Sequence, residues 1–128
     1  PVGQALHEAM DRLSVPVVVI EMNAGTVKTL HERGVQVLFA DATNVETMKL
    51  ARVEDARAIA FTFPEPLLAI EGVRAARTLN GGVVTYARAK FGSGVELLKK
   101  EGVHHIFHDE ATSGKAMVTA VLGCYEVE

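Results

Sequence analysis

Two residues near the amino terminus have the spacing that a nucleotide cradle requires. Gly3 stands in "PVGQAL" at the start of an amphipathic pattern, and Glu21 closes the apolar run "VPVVVIE" 18 residues later. A glycine at that point lets a helix start pack closely on a strand, and the first amides of a helix bind phosphate. An acid about 20 positions on, at the end of the next strand, accepts from ribose hydroxyls. Other chemistry is thinner. His104, His105 and His108 suggest a metal, but on a strand the first and last stand about 13 Å apart at the backbone and the middle one points away. No Cys or carboxylate completes a zinc set, so no metal site is expected. Ser93, Ser113 and Cys124 are the candidate nucleophiles, and none sits in a nucleophile elbow. The chain is read as non-catalytic.

The elements that must hold Gly3 and Glu21 alternate in type. Val2, Leu6, Met10 and Leu13 form one stripe of a helix over 2–13, with Pro1 suited to the first helical position. Residues 17–21 read as a short buried strand, and a helix follows that ends at Gly34, a left-handed terminal glycine. "VQVLFA" (35–40) is the next strand and leads through Asp41-Ala42-Thr43-Asn44 to a helix near 45–51. Strand 56–62 precedes a long helix through Leu79. Asn80-Gly81-Gly82 turns into strand 83–87, and helix 93–101 is closed by Gly102. Strand 103–107 and helix 110–122 complete the chain.

Strands buried on both faces, each followed by a helix, indicate α/β architecture: a doubly wound, Rossmann-like parallel sheet with helices on both faces. "PVG" fits the last three positions of G-x-G-x-x-G, so the first strand of that fold is expected ahead of residue 1 or from another chain. Burying three large aliphatic side chains in such a strand contributes about 5–9 kcal/mol. Whole domains are stable by only about 5–15 kcal/mol, so the strand is expected to exist physically.

Composition narrows the function. A chain of 128 residues makes one domain, 1–128. No apolar run approaches the roughly 18 residues of a membrane span, and no signal or lipidation motif is present. Cys124 is the single cysteine, which points to a reducing compartment without disulfides. A net charge of −3 with 5% aromatic residues argues against nucleic acid as a partner. Lys99-Lys100, the one adjacent basic pair, is accounted for as a cationic last helical turn.

The segments "PVGQAL", "VPVVVIE", "ERGVQVLFADATN", "ARAIAFTFPEP", "VVTYARA" and "GVHHIFHDE" together resemble the regulatory nucleotide-binding domain of potassium channels and transporters. This is the N-terminal half of the regulator-of-K⁺-conductance unit, or Trk-type NAD-binding domain. The wording is most similar to the cytoplasmic domain of Kef-type potassium efflux systems and cation/proton antiporters. The resemblance implies that Val2 and Gly3 present amides to phosphates, that Glu21 binds ribose and that Met22 lies beside the adenosine. It further implies Asp41 and Ala42 at the adenine edge, Thr62 near the second ribose or its phosphate, and Arg88 as a contact to an anionic ligand. Local alternatives stand beside two of these. Asp41 can cap the helix near 45, with Thr43 or Asn44, and Arg88 can pair with a surface carboxylate.

The expected ligand is NAD(H) or AMP. A carboxylate at Glu21 about 4 Å from a 2′-phosphate costs on the order of 4 kcal/mol at an effective dielectric of 20, which disfavours NADP roughly a thousandfold. By resemblance the domain senses its nucleotide and gates ion flux of a membrane transporter, fused upstream or separate, at the cytoplasmic face of the cell membrane, the chain itself being soluble. The final helix, with Ala116, Met117, Val118, Ala120, Val121 and Leu122, carries more apolar surface than a lone domain needs, which predicts a homodimer through it. The alternatives are the cofactor domain of an NAD-dependent oxidoreductase and a stand-alone nucleotide-binding subunit.

Overall fold

The computed structural model describes residues 2–125, so the role expected of Pro1 lies outside the described residues. Helix α1 spans Val2–Arg12, followed by strand β1 (Val19–Glu21), α2 (Ala24–Glu32) and β2 (Val37–Phe39). Then come α3 (Val45–Leu50), a 3₁₀ turn (Val53–Asp55), β3 (Ala58–Phe61) and α4 (Pro66–Leu79). The described chain finishes with β4 (Val84–Ala89), α5 (Gly92–Lys100), β5 (His105–His108) and α6 (Asp109–Gly123).

Local sequence explains most boundaries. The Asn23 side chain accepts from the Thr26 amide at 2.9 Å and starts α2, while Asn44 does the same for Glu46 at 2.7 Å and starts α3. Pro66 opens α4, where its missing N–H costs nothing. Gly34 and Gly102, at φ +78° and +80°, follow α2 and α5 as the left-handed positions expected of them.

All strand pairs are parallel. The sheet is in two pieces, β2-β1 and β3-β4-β5. Strand order runs one way from β1 to β2 and the other way from β3 to β5, so right-handed crossovers put α2 on one side and α4 and α5 on the other. In the doubly wound order the central strand belongs between β1 and β3, which is where pairing is interrupted. One core spans the pieces: Met48, Phe61, Val73, Ala87 and Leu98 are buried, and Ile20 and Ala42 pack against them.

Burial on both strand faces is not what the fold shows. Along β4, Thr85, Ala87 and Ala89 are buried whereas Val84, Tyr86 and Arg88 are not, and Ala58 and Ala60 of β3 are exposed. The reason is that α1, α2 and α6 bury none of their residues, so among the described elements the face opposite α4 and α5 is only partly covered. The first three strands are shorter than expected, and the last two are displaced. β4 continues through Arg88 and Ala89 because both pair with β5, and β5 begins at His105 rather than 103. His104 instead turns its Nδ1 to accept the Thr85 amide at 3.0 Å.

Candidate functional site

A series of short contacts gathers the loops that leave the strands. At the end of β1, Glu21 Oε2 accepts from the amides of Met22 at 2.8 Å and Asn23 at 3.1 Å. The carboxylate is thereby folded over the entrance to α2, and Oε1 has no hydrogen-bond partner among the described residues. The Glu21 carbonyl accepts the Ala40 amide at 3.0 Å, which ties the exit of β1 to that of β2. One residue on, Asp41 Oδ1 accepts from the Thr43 amide at 2.8 Å and from Thr43 Oγ1 at 2.7 Å. The two Thr43 bonds, the hydroxyl's first, hold the Asp41 carboxyl below its ordinary value. The α3 cap belongs to Asn44, not to Asp41.

The next links cross to the three-stranded piece. Gly72 of α4 lies so close to the Ala42 carbonyl that a Cβ would stand 2.9 Å from it and overlap the Phe61 ring. Thr62 follows Phe61, and its side chain meets α1: a Cβ at Gly3 would stand 3.0 Å from Thr62 Oγ1. The helix start therefore closes on the exit of β3, a contact that only a residue without a side chain makes without displacement. Val2, exposed, stands beside it. From β4, Arg88 Nη1 donates to the Thr62 carbonyl at 2.9 Å, while Nε and Nη2 donate to Asp109 at 3.2 and 2.6 Å. The expectation that Arg88 leaves the sheet is corrected: it pairs with Phe107 inside the ladder, and its carboxylate partner is the first residue of α6.

Two groups of the predicted site residues result: Gly3 and Arg88 both meet Thr62, and the Glu21 carbonyl ties β1 to Ala40, just before Asp41 and Ala42, while Val2 and Met22 stand beside them in sequence. This set combines a glycine-lined helix start, an acceptor oxygen at Glu21 and a cation at Arg88. Those are the groups that suit a phosphate and a sugar. Met22 and Phe39, 63% and 65% exposed, add apolar surface beside Glu21, because Phe39 is its register partner in β2. Sequence reasoning passed over Phe39, and its position two residues before Asp41 in "VLFAD" is the available signal. It also passed over Asp109, Gly72 and the side chain of Asn80, whose amide donates to the carbonyls of Val53 and Ala56 at 2.9 Å each.

Two of the three histidines have other partners, while His108 Nε2 is buried without one among the described residues. His104 is bound to Thr85, His105 stacks on Tyr86 with ring centroids 4.7 Å apart, and His108 precedes α6. Among the described residues no group of three or more His, Cys, Asp or Glu could hold a metal. No helix of the described residues is long and apolar enough to cross a membrane.

Comparison with known proteins bears on the family and the fold. The family model "TrkA-N domain" matches residues 1–109, so the match ends where α6 begins. The protein named as cation/proton antiporter YbaL of Escherichia coli (strain K12) is 32% identical over 117 residues, covering 91% of this chain and 21% of that protein. The K(+) efflux antiporter KefB of Alkalimonas amylolytica is 24% identical over 121 residues, 94% of this chain and 18% of that protein. The chain thus spans about a fifth of the length of these curated relatives. The crystal structure of the YbaL TrkA-N domain superposes with a TM-score of 0.88 at 32% identity, over 93% of this chain and 88% of that one. A GsuK channel bound to NAD has the same fold, with a TM-score of 0.75 at 21% identity over 84% of this chain and 19% of that one. A parallel Rossmann-like sheet, a rim joining helix start to strand exits, and a family match across most of its length establish that this chain belongs to the TrkA-N domain family.

Proposed function

We propose that the chain is the regulatory nucleotide-binding domain of a potassium or cation/proton transport protein, sensing NAD(H) or AMP. One observation carries the reading: Gly3 and Arg88 meet at Thr62, and the exits of β1 and β2, which carry Glu21, Asp41 and Ala42, are tied to each other and reach the end of β3 through Gly72. The residues fit the group. The Gly3 cradle is one that a Cβ would crowd, and the amides of α1 supply donors for a phosphate. Glu21 Oε1 is an acceptor for a ribose hydroxyl, and Asp41 Oδ2 one for the adenine amine. The bound nucleotide supplies no chemistry here beyond its differential affinity for two domain arrangements, which is what biases a gate. NAD in a GsuK channel and the antiporter names of YbaL and KefB support the assignment.

The domain works as a homodimer built on α6, at the cytoplasmic face of the membrane next to its transporter. Gly114, Met117, Val118, Val121 and Leu122 form an apolar face along α6, and none of the helix is buried within the chain. A helix left bare in this way calls for a partner surface. Nucleotide retained through gentle purification, identified by mass spectrometry, tests the ligand. NAD(H) or AMP is expected, and NADPH would contradict the reading. Val121→Asp is expected to convert a dimeric solution mass to a monomeric one, and a wild-type monomer at micromolar concentration removes the dimer. In the full protein, nucleotide is expected to alter ion flux without being consumed, whereas hydride transfer would assign an oxidoreductase instead.

A further inference from the structure

Arg88 is held at the rim by a group that belongs to another part of the molecule. Its guanidinium forks onto both carboxylate oxygens of Asp109 and keeps a third hydrogen bond to the Thr62 carbonyl. The two side chains are 24% and 31% exposed, so water screens the pair less than an ordinary surface contact. Glu65 also lies close enough to act on Arg88 by its charge, without a hydrogen bond. Asp109 is the first residue of α6, and no residue of that helix is buried. Its main neighbour among the described elements is β5, the strand that it directly follows. The ion pair is therefore the side-chain tie between the rim and the root of a helix that otherwise stands clear.

We propose that Asp109 occupies Arg88 in place of a ligand anion, and that a nucleotide phosphate at the rim takes the guanidinium from Asp109 and frees the root of α6. The proposal rests on the reading of the rim as a nucleotide site. A phosphate offers the same two-oxygen edge as a carboxylate, and the Nε–Nη2 edge of one guanidinium accommodates one such partner at a time. Thr62, which Arg88 already touches, is also the neighbour of Gly3, so the helix start and the guanidinium address the same point. Linkage then works in both directions: a phosphate that displaces Asp109 loosens α6, and any change that releases Asp109 tightens nucleotide binding by the same factor. A signal would pass from the cleft to the helix proposed as the dimer contact through one ion-pair exchange.

The test compares wild type with Asp109→Asn in the full protein, by titration with NADH and AMP and by hydrogen exchange at the amides of the first α6 turn. The isosteric amide is expected to raise nucleotide affinity at least ~5-fold, the lower end of usual coupling. It is also expected to speed α6 exchange without ligand, to the rate that nucleotide produces in wild type. Arg88→Lys, which keeps the charge and loses the fork, is expected to weaken binding and to make it indifferent to residue 109. Normal nucleotide binding with unchanged affinity in Asp109→Asn, or with α6 exchange that does not respond to nucleotide, overturns the exchange mechanism alone. Wild-type protein that binds neither NADH nor AMP overturns the nucleotide site and the exchange together.

Discussion

Helices α4 and α6 are nearly equal in length, 14 and 15 residues, yet one is sealed into the fold and the other stands bare. α4 buries Ala69, Ile70, Gly72, Val73, Ala75 and Ala76, while α6 leaves Met117, Val118, Val121 and Leu122 between 53% and 69% exposed. The difference lies in connectivity. α4 is the crossover between β3 and β4, so both its ends are pinned to the sheet and its small-residue face is pressed onto β4 and the Phe61 ring of β3. α6 follows the last described strand, and among the described residues its side-chain tie to the rest of the fold is that of its first residue to Arg88. Apolar content thus states a capacity for burial, and topology decides whether the chain itself uses it.

Paired glycines give the largest expected contrast. Gly72→Val drives a branched side chain into the Phe61 ring and the Ala42 carbonyl and is expected to cost about 3 kcal/mol. A Cβ at Gly123, the last residue of α6 and not part of its apolar face, meets nothing, so Gly123→Val is expected to stay within about 0.5 kcal/mol. Urea midpoints at unchanged slope measure both, and equal losses would abolish the distinction between the helices. A smaller contrast lies at the far end of α4. Arg77 donates to the carbonyls of Glu101 and Gly102 at 2.7 Å each, whereas Arg74 reaches the Glu101 carboxylate from a side chain 69% exposed. Arg77→Met is expected to lower the unfolding free energy by about 2 kcal/mol and Arg74→Met by much less.

The smallest effect is a titration. Because Thr43 lowers the folded pKa of Asp41, its contribution to stability is present above the ordinary carboxylate value of 3.8 and is lost as pH falls through the folded value. Thr43→Ala is expected to raise the Asp41 pKa toward 3.8, followed by carboxyl NMR, and to leave a flatter acid limb of stability. An unmoved Asp41 titration would mean that the loop does not hold its observed turn.

Much of this was legible in the chain because it is local. Asn23, Gly34, Pro66 and Gly102 announce helix boundaries through caps and backbone angles that depend on a few neighbouring residues. The spacing of Gly3 and Glu21 pointed to the rim because a strand between a helix and an acidic turn has a narrow range of lengths. What sequence could not show was pairing at a distance. Arg88 finds Asp109 21 positions away, and Asn80 reaches back 27 and 24 residues to the carbonyls around the 3₁₀ turn. Strand ends failed for the same reason, since Arg88 and Ala89 belong to β4 only through their partners on β5. Expected two-sided burial failed because hydrophobicity does not record which helices cover a sheet.

Competitive titration of NADH and NADPH against wild type and Glu21→Gln tests the central claim most directly. The free Glu21 oxygen should accept a ribose hydroxyl and repel a 2′-phosphate, so wild type is expected to prefer NADH roughly a thousandfold. Glu21→Gln should shrink that preference by tenfold or more. Equal affinity for the two nucleotides in wild type, or a preference that survives the substitution unchanged, would contradict the account.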